Sequence, residues 1–379
     1  MKKSTESLPG PILIVTRYFP PAKGGTEAYS YQLARGLTEI GEKITVIAPQ
    51  VPGWEDFDRD QNFSIVRFPG EENRITRIWQ MYLTTRRLLK SNRIGTMLAT
   101  TWSPAGVVTR LLGRRNRIPY FVIAHGTELY AHRFWNYLRG RVFASAAGLI
   151  ANSDFTCRRL QRLGVNPSRI SIIHPAIDIQ SFRESTEMGN GADLPGRTTL
   201  LTVTRLTPKK GVDMVLRVMP EVKARVKDLH YIIVGQGEDR GRLEGITRDL
   251  NITDMVRFAG RVSDAELIDY YRQSDLFVLV SREEEGGADY EGFGIVFLEA
   301  AACGKPVVGG RSGGIPEAVE DGVTGILVDP LKEEDISRAI LSVLTDGSLA
   351  RKLGEAGRSR VEKKFSYIAQ AQAFREILR

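Results

Sequence analysis

Glu291 and Glu299 stand eight residues apart in the run Asp289-Tyr-Glu291-Gly-Phe293-Gly294-Ile295-Val296-Phe-Leu-Glu299-Ala-Ala-Ala-Cys-Gly304. The first lies in a glycine-bearing turn, and the apolar run Ile295 to Cys303 reads as a helix ended by Gly304. Amides of Gly294, Ile295 and Val296 would stand unpaired where that helix starts, and the aligned peptide dipoles there favour a phosphate or a sugar oxygen. Glu299, one turn inside, can face the same ligand and accept two hydroxyl hydrogen bonds from a vicinal diol. Two glutamates alone would read as solvated charges. The glycine turn, the apolar helix and the spacing together favour the ligand-binding reading.

A second group, Thr204-Arg205-Leu-Thr-Pro208-Lys209-Lys210-Gly211-Val-Asp213, follows a strand. Pro208 and Gly211 mark a turn, and a helix is expected from Val212. Arg205 and Lys210 then emerge at the carboxyl edge of a sheet, where two cations can hold a diphosphate leaving group. A third group, Tyr18-Phe-Pro-Pro-Ala-Lys23-Gly24-Gly25-Thr26-Glu27, is a glycine turn between the first strand and first helix. It suits close backbone approach to a phosphate, and equally a tight connection.

These groups need a scaffold that brings strand ends together. Short apolar runs at Pro11–Thr16, Lys43–Ala48, Phe63–Phe68, Pro119–Ala124 and Gly148–Ala151 alternate with helix-period segments, and a second such series runs from Thr198–Thr204 through Leu229–Val234, Met255–Ala259, Leu276–Val280 and Lys305–Val308 to Thr324–Val328. That alternation is the pattern of parallel sheets covered by helices on both faces. The stretch from Arg183 to Gly196 has turn formers and no periodicity. The expectation is α/β, with two doubly wound Rossmann-like domains: residues 1–182, a linker at 183–196, residues 197–364, and a C-terminal helix over 365–379 that packs back on the first domain. Ligands of such sheets bind outside the carboxyl ends of the strands, so a cleft between the domains is the expected site.

Composition narrows the class. At 379 residues, 42% hydrophobic and 26% charged, the chain suits two globular cores and neither a disordered nor a multi-span membrane protein. Residues Met1 to Pro9 include Lys2, Lys3 and Glu6 and no apolar signal region, which leads us to expect a cytoplasmic protein. Cys157 and Cys303 lie far apart without partners at metal-ligand spacing and read as buried small hydrophobes. Asp56, Asp58 and Asp60 resemble an acidic metal pair but follow Pro52, Gly53 and Trp54, so a solvated loop and no metal are expected. Val234-Gly235-Gln-Gly237 could open a dinucleotide-binding turn, yet Glu238 and Asp239 would cap the next helix and repel a pyrophosphate.

The net charge of +8 suits phosphate-bearing ligands, nucleic acid or an anionic membrane. From Arg74 to Arg117 no acidic residue occurs, while Arg77, Arg86, Arg87, Lys90, Arg93, Arg110, Arg114 and Arg115 interleave with Ile78, Trp79, Tyr82, Leu88, Leu89, Leu111 and Leu112. Without a nucleic-acid motif, this reads as an amphipathic helix pair on an anionic membrane surface, with no nucleic acid as partner; the alternative is that its apolar side packs on the sheet and the arginines are merely solvated.

The Gly24-Gly25 turn, Ala124-His125-Gly126, the Arg205/Lys210 pair and the Glu291-to-Glu299 spacing together resemble glycosyltransferase family 4, of the GT-B fold, over nearly the whole chain. The resemblance implies that Glu291 contacts donor-sugar hydroxyls and Glu299 holds the ribose. It further implies that Arg205 and Lys210 neutralise the diphosphate, helped by Gly24, Gly25 and the amides of Gly294 to Val296, with Phe293 beside them. His125 would meet the donor sugar from the opposite wall, and Arg261 and Val262 would form the turn that reads the nucleobase. Transfer would retain the anomeric configuration without metal or cofactor, the nucleotide-sugar being a substrate. The Asp289-to-Glu299 stretch is similar to phosphatidylinositol mannosyltransferases, which favours mannose from GDP-mannose and a lipid-linked or glycan acceptor. A UDP-sugar (glucose, galactose or N-acetylglucosamine) with a soluble acceptor, and a non-catalytic nucleotide-sugar or nucleic-acid binder, are the alternatives.

Overall fold

The computed structural model describes residues 8, 10–70, 73–126, 129, 133–184, 197–283 and 290–379. Lys2, Lys3, Glu6, Asp289 and linker residues 185–196 lie outside the described residues. The chain divides into two units, Met1–Ile177 with Ser366–Arg379, and Asp178–Phe365.

In the first unit, β1 (Ile12–Val15), α1 (Gly25–Glu39), β2 (Ile44–Pro49), α2 (Trp54–Arg59), β3 (Ser64–Phe68), α3 (Arg74–Ser91), β4 (Thr96–Ala99), α4 (Ala105–Asn116), β5 (Tyr120–Ala124), α5 (Arg133–Ser145), β6 (Gly148–Ala151), α6 (Asp154–Arg162) and β7 (Ile170–Ile172) follow one another. The sheet is parallel in the order β3-β2-β1-β4-β5-β6-β7. Every residue of β1 and β4 is buried, because helices cover both faces, and so their sequences show apolar runs in place of alternation.

The second unit contains α7 (Ile179–Glu184), β8 (Thr198–Val203), α8 (Val212–Arg225), β9 (Leu229–Val234), α9 (Arg240–Asp249), β10 (Val256–Gly260), α10 (Asp264–Gln273), β11 (Leu276–Leu279), α11 (Ile295–Ala302), β12 (Val307–Gly310), α12 (Ile315–Ala318), β13 (Ile326–Val328), α13 (Glu333–Thr345) and α14 (Gly347–Lys364). Its sheet, again parallel, runs β10-β9-β8-β11-β12-β13. The chain then returns to the first unit as α15 (Tyr367–Leu378), where Tyr367 donates to the Glu39 carboxylate at 3.0 Å and Gln370 to the His174 carbonyl at 2.9 Å. The first unit ends before residue 182, since Phe182 of α7 packs edge-on against Tyr271 at 6.2 Å and takes a hydrogen bond from Arg272 at 2.8 Å.

Both strand orders reverse direction once, between β1 and β4 and between β8 and β11. Connections leave a switch point in opposite directions, and this opens a crevice at the carboxyl ends of its two strands. Side chains bridge each one: Thr100 donates to the Thr16 hydroxyl at 2.7 Å, and Thr202 donates to the Val278 carbonyl at 2.5 Å.

The basic stretch is α3, β4 and α4, with a central strand between the helices where the sequence reads as a helix pair. Ile78, Tyr82, Leu88 and Leu89 pack inward on the core of the first unit, and Leu112 is fully buried. Leu112 is closed to any surface partner, whereas the other four are half-buried, and Tyr82 stacks on exposed Trp79 at 5.7 Å. Ile75 and Trp79 are the exposed apolar residues of α3, at 75% and 57%, and Leu111 of α4 is also exposed.

Candidate active site

In the second unit the site is built on the ends of β8 and β11. Thr204 to Lys210 leave β8 as a loop pinned on three sides: Leu206 N–H donates to Gln236 O at 3.0 Å, Asp239 N–H to Leu206 O at 3.2 Å, and Arg282 N–H to Lys209 O at 2.8 Å. Gly211 ends the loop at φ +67°, where a Cβ would lie 2.1 Å from the Val280 carbonyl oxygen, so glycine is required for α8 to start there. The loop leaves Arg205 exposed and turns Lys210 inward, where its ammonium forms a short ion pair with Glu291, both side chains mostly buried. Sequence reasoning assigned these two residues to different parts of a ligand; the structure brings them into contact.

Below this turn lies an ion cluster that sequence reasoning missed. Asp213, buried in the first turn of α8, takes Arg282 at 3.0 Å and faces Arg242 at 3.6 Å, while Arg242 also holds Asp239 at 2.6 and 2.7 Å. Asp239 therefore does not cap α9 with its side chain, because Arg242 one turn on competes for the carboxylate. Gly235 and Gly237 sit against the carbonyls of Thr204 and Leu206, with no room for a Cβ, so that Gly-x-Gly serves close packing of two loops.

Glu291 and Gly292 lie against a further turn, Ser312-Gly313-Gly314, where Gly314 N–H donates to Glu291 O at 2.9 Å. The paired glycines of this turn were the available signal for it. Gly294, at φ +92°, is the N-cap of α11, a conformation suited to glycine, and Ile295 and Val296 open the helix with no carbonyl one turn behind them. Phe293 is buried against Phe365 and supports the turn from inside. Glu299, one turn along, accepts a hydrogen bond from the Tyr271 phenol at 2.7 Å. Burial raises the Glu299 carboxyl above the usual carboxylate range, and the Tyr271 bond opposes that shift. Arg261 is exposed and Val262 half-buried just beyond the end of β10, directly before the Ser263/Glu266 capping box of α10.

In the first unit His125 follows the last residue of β5. Its Nε2–H donates to Thr100 O at 2.9 Å, its carbonyl takes Asn152 Nδ2 at 3.1 Å, and its ring meets Tyr29 edge-on at 4.8 Å. Burial pushes its pKa down to about 4, so the ring is neutral at physiological pH. Gly24 caps α1 and Gly25 begins it, as a tight strand-to-helix turn. A Cβ on Gly24 would lie 2.3 Å from Glu27 Oε2, so this helix start presents a carboxylate beside its amides. A phosphate there would compete with Glu27.

Asp56 and Asp58 lie on the short helix α2 and not in a solvated loop, because Asp58 grips Arg67 with both oxygens, at 2.6 and 3.0 Å. Among the described residues no group of three His, Cys, Asp or Glu is arranged to hold a metal. Cys157 and Cys303 are buried free thiols, and burial pushes Cys303 up to about 11.

Two parallel doubly wound units that match glycosyltransferase family models define a glycosyltransferase of the GT-B fold. The fold is shared with Anabaena HepE in complex with UDP and glucose (TM-score 0.79, 19% identity, 97% of this chain and 99% of that one) and with sucrose-phosphate synthase from Thermosynechococcus elongatus (TM-score 0.79, 22% identity, 97% and 98%). Residues 188–360 match the family model for glycosyl transferases group 1, and residues 23–181 that for Glycosyltransferase Family 4. The chain is 31% identical, over 92% of each sequence, to a GDP-mannose-dependent alpha-(1-6)-phosphatidylinositol monomannoside mannosyltransferase of Mycolicibacterium smegmatis. It is 27% identical, over 97% of each, to the GDP-mannose-dependent monoacylated alpha-(1-6)-phosphatidylinositol monomannoside mannosyltransferase of Corynebacterium glutamicum. The chain belongs to glycosyltransferase family 4.

Proposed function

We propose that this protein is a metal-independent, retaining hexosyltransferase that moves mannose from GDP-mannose to a lipid-linked acceptor at an anionic membrane surface. The observation that carries the reading is the Lys210–Glu291 pair beside the N-terminus of α11. A diphosphate arriving at Lys210 competes for the ammonium and releases Glu291 to accept sugar hydroxyls, so binding and sugar recognition are coupled through one contact. Arg205 and the amides of Ile295 and Val296 supply the remaining positive potential, which takes the place of a metal. Charge stabilisation needs no protein nucleophile. The acceptor oxygen bonds to the anomeric carbon as the carbon–phosphate-oxygen bond breaks on the same face, and the departing phosphate takes the acceptor proton. Glu299 and the Arg261-Val262 turn are assigned to ribose and nucleobase, and His125 acts as a neutral hydrogen-bonding group.

GDP-mannose and a phosphoinositide-type acceptor are favoured by the substrates named for the mannosyltransferase relatives, which align over nearly the full chain. Membrane contact is favoured by the outer face of α3, where Ile75 and Trp79 share a stripe with half-buried Arg86 and exposed Arg87 and Lys90. No described helix is long and apolar enough to cross a membrane. Thermal shift with GDP, UDP and ADP, repeated with EDTA, tests the donor assignment. The expected result is the largest stabilisation by GDP, unchanged by chelator. Stabilisation by UDP alone, or only with Mg²⁺ or Mn²⁺, would overturn the donor or the metal-free part respectively.

A further inference from the structure

We propose that Tyr271 is a positioning residue for nucleotide recognition: its phenol holds the Glu299 carboxylate in the one orientation that can take both ribose hydroxyls. The inference rests on the reading of Glu299 as the ribose acceptor and adds a residue that no motif contains. Tyr271 lies on α10, is fully buried, and donates to Glu299 Oε2 at 2.7 Å.

The ring has little freedom. Phe182 of α7 packs edge-on at 6.2 Å and Phe277 of β11 lies against it at 5.8 Å, while Phe277 in turn meets Phe297 of α11 edge-on at 5.3 Å. Tyr271 and Glu299 are thus locked to one aromatic stack shared by α7, α10, α11 and β11. The capping box at Ser263 and Glu266 fixes the start of α10, so the same helix that carries Tyr271 is registered directly after the Arg261-Val262 turn.

A carboxylate with free rotation can meet two vicinal hydroxyls in many poses and loses that freedom on binding. With Oε2 engaged by a fixed phenol, the carboxylate plane is set beforehand. Oε1 and the remaining lone pair of Oε2 are then left for the diol. Burial and the Glu299 charge both push the Tyr271 phenol well above its ordinary value, so it stays a donor across the working range.

Tyr271→Phe keeps the ring and removes only the donor. Calorimetry would compare wild type, Tyr271→Phe and Glu299→Ala, each with GDP and with 2′,3′-dideoxy-GDP; if UDP or ADP stabilises the enzyme more, that diphosphate and its dideoxy form are used. Wild type should prefer the ribose form, Glu299→Ala should bind both forms equally, and Tyr271→Phe should lose on the order of tenfold of the preference, as expected for one hydrogen bond to a charged acceptor. Its affinity for the dideoxy form should be unchanged. Full preference retained in Tyr271→Phe but lost in Glu299→Ala would overturn the role of Tyr271 alone. Equal weakening of both forms in Tyr271→Phe would leave it a packing residue. A preference that survives Glu299→Ala, or is absent in wild type, would instead overturn the ribose assignment on which the proposal rests.

Discussion

Lys210 and Glu291 are 81 residues apart in sequence and share one ion pair, so each has a role in the other's chemistry. In the proposed reading, removing Lys210 takes away diphosphate stabilisation; it also leaves Glu291 without this counter-ion. We expect Lys210→Ala and Arg205→Ala each to lower kcat by roughly a hundredfold, the equivalent of about 3 kcal/mol of charge stabilisation, with the thermal unfolding curve little changed for exposed Arg205. Steady-state kinetics beside calorimetric melting checks both statements, and near-normal turnover in both variants would remove the diphosphate assignment. His125 carries a separate pH prediction. Its folded pKa of about 4 lies below the unfolded value near 6.5, so between these values the unfolded chain binds a proton that the folded chain excludes. The His125 contribution is therefore present above about pH 6.5, is lost as pH falls toward about 4, and is flat below that. Urea midpoints of wild type and His125→Gln across this window should converge at low pH; parallel curves would show that the ring is not buried neutral. Spacing and turn chemistry singled out Glu291, Glu299, Arg205 and Lys210 in the sequence, and of these the fold brings Lys210 and Glu291 into contact. Tyr271, Asp213 and Arg282 were not legible there, because each acts through a partner brought close only by the fold.

Two turns set the element scale. The Lys210 turn ends at Gly211 and the helix after Glu291 starts at Gly294, both with positive φ, and at Gly211 an added Cβ would meet backbone. Gly211→Ala should lower stability by about 1–3 kcal/mol through forced backbone strain and abolish tight nucleotide binding by shifting Lys210. Gly294→Ala, also at positive φ, would put its Cβ 2.8 Å from Cδ2 of the buried Phe297 ring, and should cost a similar amount of stability and be equally damaging to nucleotide affinity. Melting and calorimetry on the pair test this; nucleotide affinity kept in both would mean that neither turn positions the ligand. Most strands were legible as short apolar runs between helical segments. β4 was not, although it sits beside β1 at the centre of its sheet, because Thr96-Met-Leu-Ala99 has no β-branched run and lies between two arginine-rich helices. The three-residue edge strand β7 escaped for a related reason, having a serine at its centre.

For the whole molecule, the central claim is mannosyl transfer to a lipid-linked acceptor by an enzyme held at a membrane. The outer stripe of α3 runs about 22 Å from Ile75 to Lys90, with its apolar end and its cationic end on one face. Vesicles containing anionic lipid should pellet wild type, neutral vesicles should not, and salt should reverse the binding, since each cation contributes about 1 kcal/mol. Replacing Ile75 and Trp79 with Ser should weaken pelleting as much as replacing Arg86, Arg87 and Lys90. An unchanged pellet after both sets would place membrane contact elsewhere or nowhere. The basic, acid-free stretch pointed to an anionic surface in the sequence, but not to a face, because half-buried Ile78, Tyr82, Leu88 and Leu89 share the helix with exposed Ile75 and Trp79. The most direct measurement is transfer of radiolabelled mannose from GDP-mannose to phosphatidylinositol monomannoside in anionic vesicles with EDTA present, with UDP-glucose, UDP-galactose and UDP-N-acetylglucosamine run in parallel. The account predicts a labelled glycolipid from GDP-mannose alone, α-linked by NMR and lost in Lys210→Ala. Transfer from a UDP-sugar with none from GDP-mannose, a β-linked product, or activity that requires added Mn²⁺ would contradict it.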